Sequence, residues 1–178
     1  MKHPLEFVPL ENRRRLFLTF LTLTLSLFGV FGMLDQPLRT SAAPDGIVSF
    51  ELARTSENAE SMLSSWSEAG KLNAAFGLGI DYLFMPLYAF ALAFGTLLAA
   101  EKHSGWVRSL GAAAGWGAFA ASLFDAVENF ALFRILLGAY ESSHPALAAV
   151  CAMIKFGLLF LGVGYALTGW FLPKQGTK

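Results

Sequence analysis

A chain of 178 residues with 13 basic and 13 acidic side chains has no net charge, which removes the electrostatic case for a nucleic-acid partner. Its single cysteine, Cys151, excludes an intrachain disulfide, a CxxC redox pair and a thiolate metal site. Hydrophobic residues make up 55% of the chain and mean hydropathy is +0.53, and the apolar residues are blocked rather than scattered. Four blocks, 16–34, 74–100, 106–137 and 146–172, reach the roughly 20 residues needed to cross about 30 Å of hydrocarbon. The prediction is an all-α integral membrane four-helix bundle, residues 1–178 as one membrane domain, with an extramembrane amphipathic helix between the first two spans.

Residues 1–15 are polar and end in Arg13-Arg14-Arg15; Leu16 to Leu34 then runs without a charge. Arg14-Arg15-Leu16-Phe17-Leu18 is similar to the core of a twin-arginine signal, and Ser41-Ala42-Ala43 has the small residues of a cleavage site. A 19-residue apolar core exceeds the usual 7 to 15 of a signal segment, so the expectation is a retained anchor. Thr22, Ser26 and Gly29 form a small-residue stripe suited to packing on a neighbouring helix.

The outer loop, 35–73, is broken by Pro37 and Pro44. Asp45 is expected to cap a helix of about 20 residues that ends near Trp66 and lies on the membrane or over the bundle mouth. Glu51 and Arg54 are expected on its solvated face.

In the second span Gly77, Asp81, Met85, Tyr88, Leu92 and Gly95 recur at i+4 and i+3, so a carboxylate and a phenol share a face with two glycines. Pro86 has no N–H for the Tyr82 carbonyl, a weak point beside the aspartate. The turn at 101–105 carries His103, read as a solvated residue. The third span opens with a small-residue stripe, Gly111, Ala114, Gly115, Ala118, Ala121 and Ser122, which runs into Asp125, Glu128 and Asn129; spacings of three and four put these last three on one helical face. Arg134 points to the opposite side. His144 reads as a loop residue. In the fourth span Ala148, Ala152, Lys155, Leu159, Gly162, Ala166 and Gly169 form a seam with a lysine inside it, which should face other helices.

Four spans put both termini on one side. That side carries Lys2, Arg13 to Arg15, Lys102, Arg108, Lys174 and Lys178 against Arg39, Arg54 and Lys71 on the other, so both termini are expected in the cytoplasm. Counted from the outer helix ends, Asp81, Glu128, Asn129 and Lys155 come to similar depths of about 10 to 15 Å, with Asp125 deeper.

Asp81, Tyr88, Asp125, Glu128, Asn129 and Lys155 are therefore the candidate ligand-binding residues. Three carboxylates share one lysine, so at least one acid is protonated or meets a cation, a ligand or Arg54. The chemistry admits an outward-facing polar cavity that binds or moves a small amphiphile, lipid or ion. It also admits a buried network that only fixes helix packing in a structural or assembly subunit, and an isomerase-like acid and base pair, Glu128 with Asp81, acting on an apolar substrate. The enzyme reading is not favoured. An adjacent lysine and the lack of spaced histidines argue against a metal, and no cofactor is implied. Expected partners are the lipid bilayer, a lipid or small-molecule ligand, and a second copy or larger membrane complex.

Gly79-Ile80-Asp81-Tyr82-Leu83-Phe84-Met85-Pro86-Leu87-Tyr88, Asp125-Ala-Val-Glu128-Asn129 and Lys155-Phe156 together resemble a group of uncharacterised bacterial four-helix inner-membrane proteins with a D-x-x-E-N element. The likeness runs from Gly46 onward; it implies a bacterial envelope location and no activity. In size, helix number and embedded acids the chain is also similar to emopamil-binding-protein-like isomerases, with no shared residue motif.

Overall fold

The computed structural model describes residues 1–171, with side chains to residue 169; Lys174, Lys178 and the last position of the fourth predicted span lie outside the described residues. Every regular element among them is helical: α1 Leu10–Asp35, a 3-10 turn Gln36–Leu38, α2 Ile47–Glu51, α3 Ser56–Ser65, α4 Glu68–Ala100, α5 Gly105–Leu136 and α6 His144–Phe171. Helices α1, α4, α5 and α6 are long and apolar enough to cross a membrane. Helices α1, α4 and α6 begin before the predicted spans because polar residues at their ends, such as Glu68 and Lys71, extend a helix without being apolar, whereas α5 matches its predicted length. Pro86 sits inside α4, which continues through it.

The described chain divides into two compact units. The first comprises residues 1–25, 86–123 and 155 onward. Its core is Leu5, Ala93, Phe94, Leu97 and Ala118, with Leu16, Phe17 and Phe20 of α1 packed against it. Phe20 stacks on Phe90 at 5.0 Å, and Phe90 meets Phe119 edge-on at 5.3 Å. The first turns of the apolar run are thus built into the unit. The small-residue seams on α5 and α6 allow close approach: a Cβ at Gly111 would lie 2.7 Å from that of Ala100, and one at Gly169 would lie 2.8 Å from that of Ala99.

The amino-terminal segment is part of this unit rather than a solvated arm. Arg13 is buried, donating from Nε to the Val8 carbonyl at 2.7 Å and from Nη2 to the Glu6 carbonyl at 2.6 Å, and pairing with Glu101 at 2.5 Å. These bonds turn residues 1–9 back along α4 and α5. His3 is buried there, against Gly115 and Thr96. Thr96 gives its hydroxyl proton to the Ala93 carbonyl, so His3 Nε2 must donate to Thr96 Oγ1 (3.2 Å), while His3 Nδ1 accepts from Leu5 N–H (3.1 Å). A neutral imidazole with one tautomer satisfies both bonds, and a second proton would break the one to Leu5.

Burial, the largest cause, lowers the His3 pKa to about 4; Glu6 pulls it upward and the Arg13 guanidinium pushes it down. The folded value lies below the unfolded 6.5, so the unfolded chain binds the proton first. Stability from this site is complete above pH 6.5, falls as the pH drops, and is lost by about pH 4, at most about 3 kcal/mol. Denaturation midpoints between pH 7.5 and 4 should show this decline in wild type and a shallower one in His3→Gln. Equal slopes would refute it.

The second unit comprises residues 26–85 and 124–154. In place of one 20-residue helix, the outer loop forms two short ones joined by a corner at Arg54, whose φ of +63° lies in the left-handed region. Helix α2 is capped from elsewhere: Gly46, not Asp45, holds the N-cap position at φ +59°, and Asp35 at the end of α1 accepts from Ile47 N–H at 2.7 Å. A Cβ on Gly46 would lie 2.1 Å from that carboxylate, which is why a glycine is needed. Thr55 caps α3, accepting from Asn58 N–H at 3.3 Å.

This cap is amphipathic and closes on its own unit. Leu38, Ala43, Phe50, Ala53, Ala59 and Trp66 are buried with Ala74 and Leu78 of α4, Ala131, Leu132 and Ile135 of α5, and Ala148 of α6. Phe50 meets Trp66 edge-on at 5.1 Å, and Trp66 Nε1 donates to the Leu38 carbonyl at 2.8 Å. Glu51, expected on a solvated face, is buried. It lies one turn after Ile47, which packs against the same cluster, so α2 turns this carboxylate inward.

Two further expectations are corrected. His103 is buried in the first unit, its Nε2 3.3 Å from the Gly169 carbonyl, which gives the ring a polar partner out of water. The Thr22, Ser26 and Gly29 stripe of α1 is exposed, since the helix packs instead through its aromatic side at Phe17, Phe20 and Phe31.

Candidate functional site

Asp81, Asp125, Glu128 and Asn129 all lie in the second unit; Tyr88 and Lys155 belong to the first. The antiparallel register of α4 and α5 brings the former together. Asn129 Nδ2 donates to Asp81 Oδ2 at 2.7 Å and to the Leu78 carbonyl at 3.3 Å, and Tyr82 OH donates to the Ala126 carbonyl at 3.3 Å. Asn129 thus spends its amide protons on α4, holding the aspartate and one backbone oxygen at a fixed height. Glu128 is fully buried, Asp125 is 3% exposed, and Asp81 is half-buried.

The height of this group follows from α1. Phe31 meets Phe84 edge-on at 5.1 Å, so Asp81, one turn nearer the cap than Phe84, is level with Leu34, where the charge-free run of α1 ends. Asn129 and Glu128 share that level through the hydrogen bond to Asp81, and Asp125 lies about 5 Å further in. The polar group therefore sits at the cap edge of the apolar run. Counting from the outer ends of the predicted spans, at Ala74 and Leu137, gives about 10 to 15 Å, whereas the packing of Phe84 on Phe31 sets the group level with the end of the charge-free run of α1.

The electrostatic setting is one-sided. The second unit holds ten acidic side chains against four basic ones, Arg39, Arg54, Lys71 and Arg134. Arg39 pairs with Asp35 at 2.9 Å and Lys71 with Glu68 at 2.9 Å. Arg134 is exposed, consistent with its opposite helical face. Three carboxylates of the site are thus held where acid outnumbers base more than twofold.

The remaining two candidates are described by their own surroundings. Tyr88 and Lys155 are both buried, and Lys155 Nζ lies 4.6 Å from the centre of the Phe156 ring. That position agrees with a lysine facing inward from the α6 seam. No group of three or more His, Cys, Asp or Glu suited to a metal ion occurs among the described residues.

Sequence reasoning missed Glu51 as a buried acid. The only available signal was Phe50 beside it, since a large aromatic that must be buried draws its helix against the core. It also missed the Arg13–Glu101 pair, which no local pattern announces. Compared with family models, characterised proteins and solved structures, the chain matches none of them.

Proposed function

We propose that this is a multi-pass protein of the bacterial inner membrane, both termini cytoplasmic, whose cap end binds or moves a small cationic amphiphile at Asp81, Asp125, Glu128 and Asn129. The observation that carries the reading is the burial of Asp125 and Glu128 in a unit with ten acids and four bases. A carboxylate taken out of water is held only with a proton, a cation or well-placed donors, and the acidic excess of the unit attracts a cationic ligand towards it. The level of the group, at the edge of the apolar run, suits a ligand with a charged head and an apolar tail. Helix α2 brings Glu51 into the same unit from the cap, the element that would cover such a ligand.

A structural network is the second reading, and Asn129 favours it: two bonds from one amide to Asp81 and Leu78 are what a device for fixing helix register looks like. Thermal midpoints in detergent separate the two. Dodecylamine below its micellar concentration should raise the wild-type midpoint by about 5–10 °C when near-saturating, while dodecanol and dodecanoate do not. Glu128→Gln should abolish that shift and melt no lower than wild type. If Glu128→Gln and Asn129→Leu both melt several degrees lower and the amine shifts none of the proteins, the network reading replaces this one.

A further inference from the structure

The first unit has the opposite charge balance. Among the described residues it carries seven Lys and Arg against three acids, Glu6, Glu11 and Glu101. Two of those acids are engaged: Glu101 with Arg13, and Glu6 with Arg108 at 2.7 Å. Lys2, Arg14 and Arg15 are exposed, with exposed Glu11 as the remaining acid. A surplus of basic charge is thus presented outward at this end.

The folded-back segment sets where that charge sits. His3 bonds to Thr96 and lies against Gly115, and Phe17 lies against Gly95 one residue away along α4. Residues 2 and 3 are therefore level with the beginning of the charge-free run of α1, and Arg14 and Arg15 immediately precede it. Trp116 Nε1 donates to the Lys2 carbonyl at 3.2 Å, which places an exposed indole at the same level. Met1, Phe7, Leu10 and Trp106 are exposed as well, Phe7 to 81%. Large apolar and indole side chains interleaved with Lys and Arg, at the boundary of an apolar run, are the composition of a headgroup-level belt.

We infer that this belt is a binding surface for anionic phospholipid headgroups, with Arg14, Arg15 and Lys2 meeting lipid phosphates and Trp116 seated at the level of the upper acyl chains. The inference rests on the bilayer-spanning part of the proposed function but not on its cap-end ligand. Charge complementarity selects the lipid class: the basic surplus gains from a leaflet with negative surface potential and gains little from a zwitterionic one. Residues 1–9 act as the preorganised part of the surface, because their backbone is already fixed by Arg13 and Thr96.

The test is thermal unfolding of the full chain in nanodiscs of phosphatidylcholine alone or with about one third phosphatidylglycerol. The anionic lipid should raise the midpoint by about 4–8 °C at low salt, an effect that molar salt removes and Arg14→Gln/Arg15→Gln/Lys2→Gln largely abolishes. These three side chains are exposed, so the variant should match wild type in phosphatidylcholine. Equal midpoints in both lipids, or the same rise on adding inorganic phosphate to phosphatidylcholine discs, would overturn the inference. Failure of the wild type to enter discs of either composition would instead overturn the bilayer-spanning reading.

Discussion

Trp66→Ala is expected to be the most damaging single substitution in the cap, costing about 4 kcal/mol. Trp66 is 4% exposed, and truncating a buried tryptophan costs about 3–5 kcal/mol through lost transfer energy and the cavity left behind. The Leu38 carbonyl also loses the donor that Nε1 supplies at 2.8 Å, about 1 kcal/mol or more for a buried acceptor. The loss should be local before it is global. Helices α2 and α3 span only 5 and 10 residues, too short to be stable alone, so they depend on the Phe50, Trp66 and Leu132 cluster. Amide hydrogen exchange should therefore accelerate over 36–66 while α5 and α6 stay protected. Trp66→Phe, which keeps the ring and loses the N–H, should cost less than half as much. Unchanged exchange over the cap in Trp66→Ala would show that this cluster does not hold it.

Arg13→Met is the second. It removes three interactions from a side chain only 10% exposed: the bonds to the Val8 and Glu6 carbonyls and the pair with Glu101. Breaking a buried pair costs about 3–5 kcal/mol, and because the Glu101 side chain keeps 31% exposure the expected loss is nearer 3 kcal/mol. Residues 1–9 should undock, with rapid exchange at the Leu5 amide, which otherwise donates to His3 Nδ1. Undocking re-solvates His3, so the pH-dependent loss of stability between 6.5 and 4 should weaken in the same variant. Arg13→Met/Glu101→Gln should recover part of the stability without restoring that pH dependence. A variant that keeps both Leu5 protection and the full pH response would mean that the segment is held by His3 and Leu5 alone.

The sequence by itself determined the number of long apolar helices, the inward face of Lys155, and the grouping of Asp125, Glu128 and Asn129, since each follows from helical periodicity or from a run of uncharged residues. It also placed Asp81 on a face with Met85 and Tyr88, both of which are buried. Only the tertiary structure decided what pairs with what. The hydrogen bond between Asn129 and Asp81 links positions 48 apart and depends on the register of two helices, which aromatic packing and glycine contacts set rather than any local pattern. Tyr88 and Lys155 are assigned to one compact unit and the other four candidates to the second, although the helical faces agree. Glu51 and His103 read as solvated polar residues because local composition is all a sequence displays, and it gives no sign that His3 and Arg13 are buried either. Each is buried beside what makes burial tolerable: the apolar Phe50 next to Glu51, Thr96 and the Leu5 amide at His3, the Glu101 carboxylate at Arg13 and the Gly169 carbonyl at His103.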